Sequence, residues 1–168
     1  MTTIYLAGPI HMCSYTEIHG WRNDMCERLA RAGNTVLDPT RHGTAATRDL
    51  IEQDKADIDQ SDILIAYVPK PSVGTSMEVL YAWERGKAVI IYAPAHAQVS
   101  GWLHYHSHAI TNHPVDAAAA TLTLFNAPPY ICRGCGYEIA PVGAVWTHTD
   151  ERSYQHTPPH LARPGAGR

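Results

Sequence analysis

Two uninterrupted apolar segments constrain the fold of this chain more than any other feature. They are "ILIAYVP" at residues 63–69 and "AVIIYAP" at residues 88–94. A strand that is buried on both faces is apolar throughout, whereas a half-exposed strand alternates between apolar and polar residues. The intervening segment, 72–87, is long enough for one helix. We therefore predict a parallel sheet with helices on both faces.

Segments typical of strands and helices alternate along most of the chain. Two more helices are predicted before the first apolar run, one ended by Gly33 and one with a single buried stripe. This alternation predicts an α/β fold: a Rossmann-like or flavodoxin-like, doubly wound, mainly parallel five-stranded sheet. Ligands of such sheets bind beyond the carboxyl ends of the strands, where "AGPI", "PKPSVGTSME" and "APAHAQVSGW" should gather. The other predicted strands are 3–8, 35–39 and 108–112, and the other predicted helices are 18–32, 48–62 and 115–125.

Composition and charge narrow the classes of function. Of the 168 residues, 45% are hydrophobic and 17% charged, so the chain can bury a sizeable core, and its net charge is −3. Proteins that bind nucleic acid are normally strongly basic, so no nucleic-acid partner is expected. No apolar run is long enough to span a bilayer, and the N-terminus lacks the basic region of a signal peptide. We therefore expect a cytoplasmic protein with no membrane partner.

The segment "PSVGTSME" at residues 71–78 is a candidate anion site. A loop of small residues at the start of a helix offers unpaired N–H groups and the positive end of the helix dipole, which together could hold a phosphate. The hydroxyls of Ser72 and Ser76 could add donors, and Glu78 would project close by, kept ionised by the same dipole. The alternative is a capping box, in which Thr75 is the N-cap and Glu78 its partner.

Three motifs in the right order resemble the nucleoside 2-deoxyribosyltransferase family, which includes N-glycosidases of 2'-deoxynucleoside 5'-monophosphates and of cytidylate. They are "IYLAGP" near the N-terminus, the pair Asp54 and Asp62, and "GTSMEVLYAWERGKAVII". The likeness covers about residues 3–125. It implies that Glu78 is the nucleophile, which traps the oxocarbenium-like sugar at C1' as a covalent ester.

The resemblance also implies roles for residues near the first two motifs. Tyr5 corresponds to a tyrosine that orients the nucleophile; the alternative is a core tyrosine of a strand. Asp54 corresponds to the acid that protonates the leaving base; the alternative is a solvated acid on an acidic helix. Gly8 and Pro9 correspond to the loop that borders the base and the sugar.

One departure from the deoxyribosyltransferases points to the substrate. Where those enzymes have an Asp that binds the free 5'-hydroxyl, this chain has Ser72, as the monophosphate N-glycosidases do. A carboxylate there would repel a 5'-phosphate, whereas a serine hydroxyl beside backbone N–H groups would attract one. Ser72, Gly74 and Ser76 are therefore predicted to bind a 5'-phosphate.

The family places a segment that reaches into a neighbouring subunit at "SGWLHYHSHAITN", residues 100–112. Ser107 or His108 could thus contact the phosphate or the sugar in trans; the alternative is a surface loop with ordinary histidines. The resemblance implies a homodimer, or a dimer of dimers, with shared active sites.

The C-terminal part differs in composition from the rest and is rich in Cys, His, Gly and Pro. We predict a catalytic domain at 1–126, a small zinc-ribbon-like module at 127–160 and a disordered tail at 161–168. A Cys-x2-Cys pair followed by histidines suits tetrahedral zinc, and four protein ligands make the zinc structural. Catalysis itself needs no cofactor. The predicted ligands are Cys132, Cys135, His148 and His156, with His160 as the rival fourth ligand and free thiols as the alternative.

The predicted function is hydrolysis of the N-glycosidic bond of a nucleoside 5'-monophosphate, with Glu78 as nucleophile and Asp54 as acid. A transferase that exchanges bases on 2-deoxyribose is the second possibility. The third is a nucleotide-binding sensor without activity, which the presence of Tyr5, Asp54 and Glu78 together disfavours. The sequence does not identify the base.

Overall fold

Five parallel strands form the main sheet. The computed structural model describes residues 1–42 and 46–118, together with the backbone of three strands between residues 130 and 148. The sheet has the order β2-β1-β3-β4-β5, and every neighbouring pair is parallel. The predicted mainly parallel, five-stranded α/β sheet is therefore confirmed. Its strands are Thr3–Ala7 (β1), Thr35–Leu37 (β2), Ile63–Tyr67 (β3), Ala88–Tyr92 (β4) and Ala109–Thr111 (β5).

Three long helices lie within or close to the segments predicted for them, and a short one was missed. The long helices are Tyr15–Arg31 (α1), Thr47–Gln60 (α2) and Val73–Glu84 (α3). The unpredicted helix, Gly101–Tyr105 (α4), has only five residues, too few for an apolar period to show. Residues 114–118 are helical, at the start of the predicted last helix; the rest of that helix lies outside the described residues.

The two faces of the sheet bury different sets of side chains, because successive residues of a strand point to opposite faces. On one face, Ile4 and Leu6 pack with Met25 and Leu29 of α1. Tyr5 points to the other face, which α2 and α3 cover. Its cluster there includes Ala7, Ile58, Leu64, Ala66, Val79, Ala82 and Trp83.

The strand order creates a switch point between β1 and β3. The chain leaves β1 toward α1 on one face and leaves β3 toward α3 on the other, so a crevice opens between the two loops. The two strands are paired over four residues, from Ile4 with Ile63 to Ala7 with Ala66. The loops that follow them, residues 8–14 and 68–72, therefore flank the position where ligands of this fold bind.

Beyond residue 118 the structure describes backbone only. The strands Tyr130–Ile131 (β6), Glu138–Val142 (β7) and Val145–His148 (β8) form an antiparallel sheet. The predicted boundary at 126–127 and the predicted tail at 161–168 lie outside the described residues. The same holds for the side chains of the four predicted zinc ligands and of His160, so the zinc module stays a prediction. In the described part of the chain, no helix has the length and apolar character needed to cross a bilayer.

Candidate active site

Glu78 and Tyr5 meet at the carboxyl edge of the sheet. Glu78 lies in the second turn of α3 and is partly buried, while Tyr5 is fully buried in β1. The hydroxyl of Tyr5 donates a hydrogen bond of 2.8 Å to Oε1 of Glu78. Both side chains lie on the face of the sheet that α2 and α3 cover. The carboxylate thus points to the sheet and not back along its own helix.

The N-cap of α3 is Ser72, not Thr75. Oγ of Ser72 accepts a hydrogen bond from the backbone N–H of Thr75 at 3.4 Å. Thr75 is buried in the first turn, and its hydroxyl donates to Oγ of Ser72 at 3.0 Å. The capping box between Thr75 and Glu78 is therefore wrong, because the helix begins earlier than that pattern requires. Glu78 has no part in the cap and remains available for chemistry.

The pKa of Glu78 is higher than the sequence analysis predicts. Burial, with a smaller contribution from the negative charge of Asp54, raises the pKa of Glu78 to about 7; the hydrogen bond from Tyr5 and the positive charge of Arg22 oppose the rise. The helix dipole was expected to keep this carboxylate ionised. The dipole acts mainly within the first turn of a helix, whereas Glu78 lies in the second, so desolvation dominates.

Asp54 acts electrostatically on Glu78. It projects from α2 and is partly buried. Burial raises the pKa of Asp54, while His42 and a hydrogen-bonding interaction with Tyr5 lower that pKa. The negative charge of Asp54 contributes to the raised pKa of Glu78, so the two carboxyl groups interact electrostatically. A nucleophile must be ionised and an acid must hold a proton, so the protonation of these two groups decides what they can do chemically.

His42 is a neighbour of this pair that the sequence analysis missed. Its Nε2 lies 2.8 Å from Oδ2 of Asp57 and 4.0 Å from Oδ1 of Asp54. It follows the 3-10 helix Pro39–Arg41, which comes directly after β2. A histidine shortly after a predicted parallel strand was the available signal, because such loops meet at the ligand-binding edge. Within residues 1–42 and 46–118, no three His, Cys, Asp or Glu side chains are grouped to hold a metal ion.

Gly8 and Pro9 follow β1 directly, as predicted, and both are buried. A Cβ atom on Gly8 would lie 2.5 Å from Cζ2 of Trp21, closer than real Cβ atoms come to other atoms. The close approach of this ring explains why glycine occupies the position. The loop is further held by Arg22, whose Nη2 donates to the carbonyl of Gly8 at 2.9 Å.

The start of α3 separates the candidate phosphate residues from the carboxylate. Ser72 and Ser76, with Lys70, line a cavity of about 470 Å³, whereas Glu78 faces Tyr5 on the other side of the helix. The hydroxyl of Ser76 donates to the carbonyl of Ser72 at 2.9 Å. Next to Gly74 the space is open, since a Cβ there would meet nothing within 4 Å. A ligand that contacts both sides would therefore cross the helix start at Gly74.

Ser107 and His108 do not lie at the surface, where a contact in trans would place them. His108 is 9% exposed; its Nδ1 accepts a hydrogen bond from the backbone of Val89 at 3.0 Å, and its ring packs on Trp83. Ser107 is 7% exposed and donates to the carbonyl of His104 at 3.3 Å. His108 thus bonds to β4 and Ser107 bonds to α4, so the geometry favours an ordinary structural role for both.

Comparison with families of known proteins gives one match. Residues 4–143, most of the chain, match the model of the family described as nucleoside 2-deoxyribosyltransferase. No curated protein sequence matches the chain.

Solved structures of two deoxyribosyltransferases and of one N-glycosidase share the fold of this chain. A 2-deoxyribosyltransferase from Bacillus psychrosaccharolyticus is 20% identical with a TM-score of 0.60, over 71% of this chain and 95% of its own. The CMP N-glycosidase BcmB from Clostridium botulinum is also 20% identical, with a TM-score of 0.53 over 71% of this chain and 96% of its own. A 2-desoxiribosyltransferase from Leishmania mexicana is 18% identical, with a TM-score of 0.56 over 76% of this chain and 100% of its own.

Proposed function

The chain belongs to the nucleoside 2-deoxyribosyltransferase family of enzymes, and from this premise we propose that it hydrolyses the N-glycosidic bond of a nucleoside 5'-monophosphate. The products are a free base and ribose or 2-deoxyribose 5-phosphate. The observation that carries the proposal is the contact between Tyr5 and Glu78, with Asp54 interacting with the same hydroxyl. The three residues lie together at the sheet edge, which supports their proposed roles as nucleophile (Glu78), orienting group (Tyr5) and acid (Asp54).

In the first step, an oxygen of Glu78 attacks C1' of the sugar. The bond between C1' and the base nitrogen breaks, the base keeps the bonding electrons, and a proton from Asp54 neutralises it. Tyr5 bonds Oε1, so Oε2 is the attacking atom in this proposal. The oxocarbenium-like state is stabilised by the ionised carboxylate and collapses to a glycosyl ester.

In the second step, water resolves the ester. Its oxygen forms the new bond to C1', its proton passes to the ionised Asp54, and Glu78 leaves as a carboxylate. The pair again holds one proton, so the cycle is complete. In this proposal the reaction starts from an ionised Glu78 beside a protonated Asp54. A second base in the place of water would give transfer.

Two observations support a substrate with a 5'-phosphate. Ser72 brings no negative charge to the start of α3, and a hydroxyl at an N-cap lies beside unpaired N–H groups. Lys70, which lines the same cavity, adds a positive charge; its Nζ lies 3.0 Å from Oε1 of Glu17. A phosphate bound in this cavity would compete with Glu17 for contact with the ammonium group of Lys70.

Base exchange on free 2'-deoxynucleosides is the second candidate, since two of the structures with the same fold are deoxyribosyltransferases. The two candidates differ in the group that resolves the ester and in the preference for a phosphate.

The test is incubation with nucleosides and nucleoside 5'-monophosphates, with and without an acceptor base, followed by chromatography of the released base. We expect release from monophosphates without an acceptor. Exchange on free nucleosides only would establish the transferase, and binding without turnover would establish the sensor.

Glu78→Ala should lower turnover to background, because the nucleophile is lost. Glu84→Ala, at an exposed position at the end of the same helix, is the matched control and should be fully active. Substantial activity in a folded Glu78→Ala variant would overturn the assignment of the nucleophile.

A further inference from the structure

Arg22 is a fully buried cation in a helix that otherwise packs through apolar residues. Its exposure is 0%, the same as that of Met25 one turn later. Arginine is almost never fully buried without partners, because the loss of hydration is costly. Here Nη1 donates to the carbonyl of Ile18 at 2.7 Å, Nη2 donates to the carbonyl of Gly8 at 2.9 Å, and Nε lies 3.5 Å from Oδ1 of Asp38. Packing of α1 alone would be served equally well by an apolar side chain.

Two partners of Arg22, Gly8 and Asp38, belong to the loops that follow β1 and β2. Gly8 is the first residue after β1 and follows the strand that carries Tyr5. Asp38 follows β2, and its carboxylate caps the 3-10 helix that leads to His42. One guanidinium therefore contacts the loops after β1 and β2, at the carboxyl edge of the sheet.

The positive charge of Arg22 also acts on the reacting groups. It lowers the pKa of Glu78 and the pKa of Asp54, against the effect of burial. The other groups that face Glu78 are Tyr5 from β1 and Asp54 from α2. Those that interact electrostatically with Arg22 are Asp38, Glu78, Tyr5 and Cys26.

We propose that Arg22 is a positioning residue of the active site: it holds the loop at Gly8 in place, and its fixed positive charge favours the ionised form of the partly buried Glu78. Asp38 is its counter-ion and limits that charge. The inference rests on the proposed function only in treating Glu78 as the group that must ionise. If the ion pair between Arg22 and Asp38 were purely structural, it would hold the loops in place without affecting the ionisation of Glu78.

Carboxyl NMR on protein labelled with ¹³C-glutamate separates these possibilities, with Glu78→Gln to assign the signal. Arg22→Met should raise the pKa of Glu78, because the stabilising charge is lost. Asp38→Asn should lower it, because the charge of Arg22 is no longer offset, and asparagine is an equally good cap. If Arg22 were only structural, Arg22→Met would loosen the site, admit water and lower the pKa of Glu78 toward its ordinary range.

Arg22→Lys keeps the charge but not the paired N–H groups. It should leave the pKa of Glu78 near that of the unmodified protein and raise KM, since the loop at Gly8 loses a hydrogen bond. If Arg22→Met does not fold, Asp38→Asn and Arg22→Lys decide the question. An unchanged or lowered pKa in folded Arg22→Met, or an unchanged or raised pKa in Asp38→Asn, would overturn the proposal.

The NMR titration needs no turnover, so it stands even if the proposed reaction is wrong. Where activity is present, the acidic limb of kcat/KM should move with the pKa of Glu78, with a loss of about tenfold per pH unit below the limb.

Discussion

At the scale of single residues, Glu78 has two opposed requirements. In the proposed mechanism it must be buried to meet the sugar away from water, and it must be ionised to attack the sugar. Burial raises its pKa to about 7, and a hydroxyl and a cation, from Tyr5 and Arg22, restrain the rise. The site is thus poised so that Glu78 ionises near neutral pH, where a catalytic group is most effective.

Tyr5→Phe tests this balance. Removal of the 2.8 Å hydrogen bond removes an interaction that lowers the pKa of Glu78, so that pKa should rise. Because the nucleophile must be ionised, the acidic limb of kcat/KM should shift to higher pH, with a larger loss of activity at pH 6 than at pH 8.5. The pH profile of kcat/KM is the measurement.

Tyr81→Phe is the matched control. It removes a hydroxyl group of α3 that donates a hydrogen bond to Asp59 of α2 at an exposed position. Its pH profile should be unchanged. An acidic limb at the same pH in Tyr5→Phe would show that the hydroxyl does not act on Glu78.

At the scale of elements, the start of α3 combines a cap with a candidate phosphate site. Ser72 closes the first turn through Thr75, and Gly74 leaves the approach to the first amides open. The same serine thus contributes to the stability of the helix and to the preference for a phosphate. A substitution that keeps the helix cap but changes the charge beside the phosphate can separate these two contributions of Ser72.

Ser72→Asp is that substitution, because aspartate caps helices about as well as serine. It should leave the helix intact while its negative charge repels a 5'-phosphate, so KM for monophosphates should rise by about tenfold or more. KM for the matching nucleoside should not rise. Steady-state kinetics on both substrates measure the effect.

Ser72→Asn is the neutral control for this experiment, since asparagine also caps and carries no charge. Equal use of monophosphates by Ser72→Asp and Ser72→Asn would exclude a phosphate beside this residue.

At the scale of the whole molecule, the active site costs stability. The folded state binds the proton of Glu78 more tightly than the unfolded chain between pH 4.5 and about 7. Stability should therefore fall as the pH rises through that window. This cost is the usual price of a buried catalytic carboxylate.

Glu78→Gln should reveal that cost. The variant should be more stable than the unmodified protein at pH 8, by about 1–2 kcal/mol once partial exposure is considered, and nearly equal to it at pH 5. Urea unfolding at the two pH values measures the free energies. A variant that is no more stable at pH 8 would show that the carboxylate is not strained by burial.

Exposed apolar side chains beside α3 are relevant to the predicted homodimer. Val73, Met77 and Trp102 are 79%, 67% and 73% exposed, and all three line the cavity that contains Ser72. Exposed apolar patches of this kind mark sites of protein contact. We expect light scattering to give a dimer, which Trp102→Glu should split into monomers. Val115→Glu, exposed elsewhere, should remain a dimer, and a monomeric unmodified protein would contradict the expectation.

The architecture follows from local signals in the sequence. The apolar runs that became β3 and β4 are buried except at their last residues, Tyr67 and Tyr92. The period of apolar residues located α1 and α2, and the segment between the two runs located α3. These signals are local, so the chain displays them without its fold. The motifs also predicted that Tyr5, Asp54 and Glu78 act together, and the structure places all three around one hydroxyl group.

The remaining features depend on contacts between residues that are distant in the sequence. Both Ser72 and Thr75 fit the pattern of an N-cap, and only the path of the chain selects between them. The pKa of Glu78 depends on how deeply α3 packs against β1, which no spacing encodes. Arg22 and His42 act on residues distant in sequence and carry no motif, because burial and charge at a site come from elements that meet only when the sheet has formed.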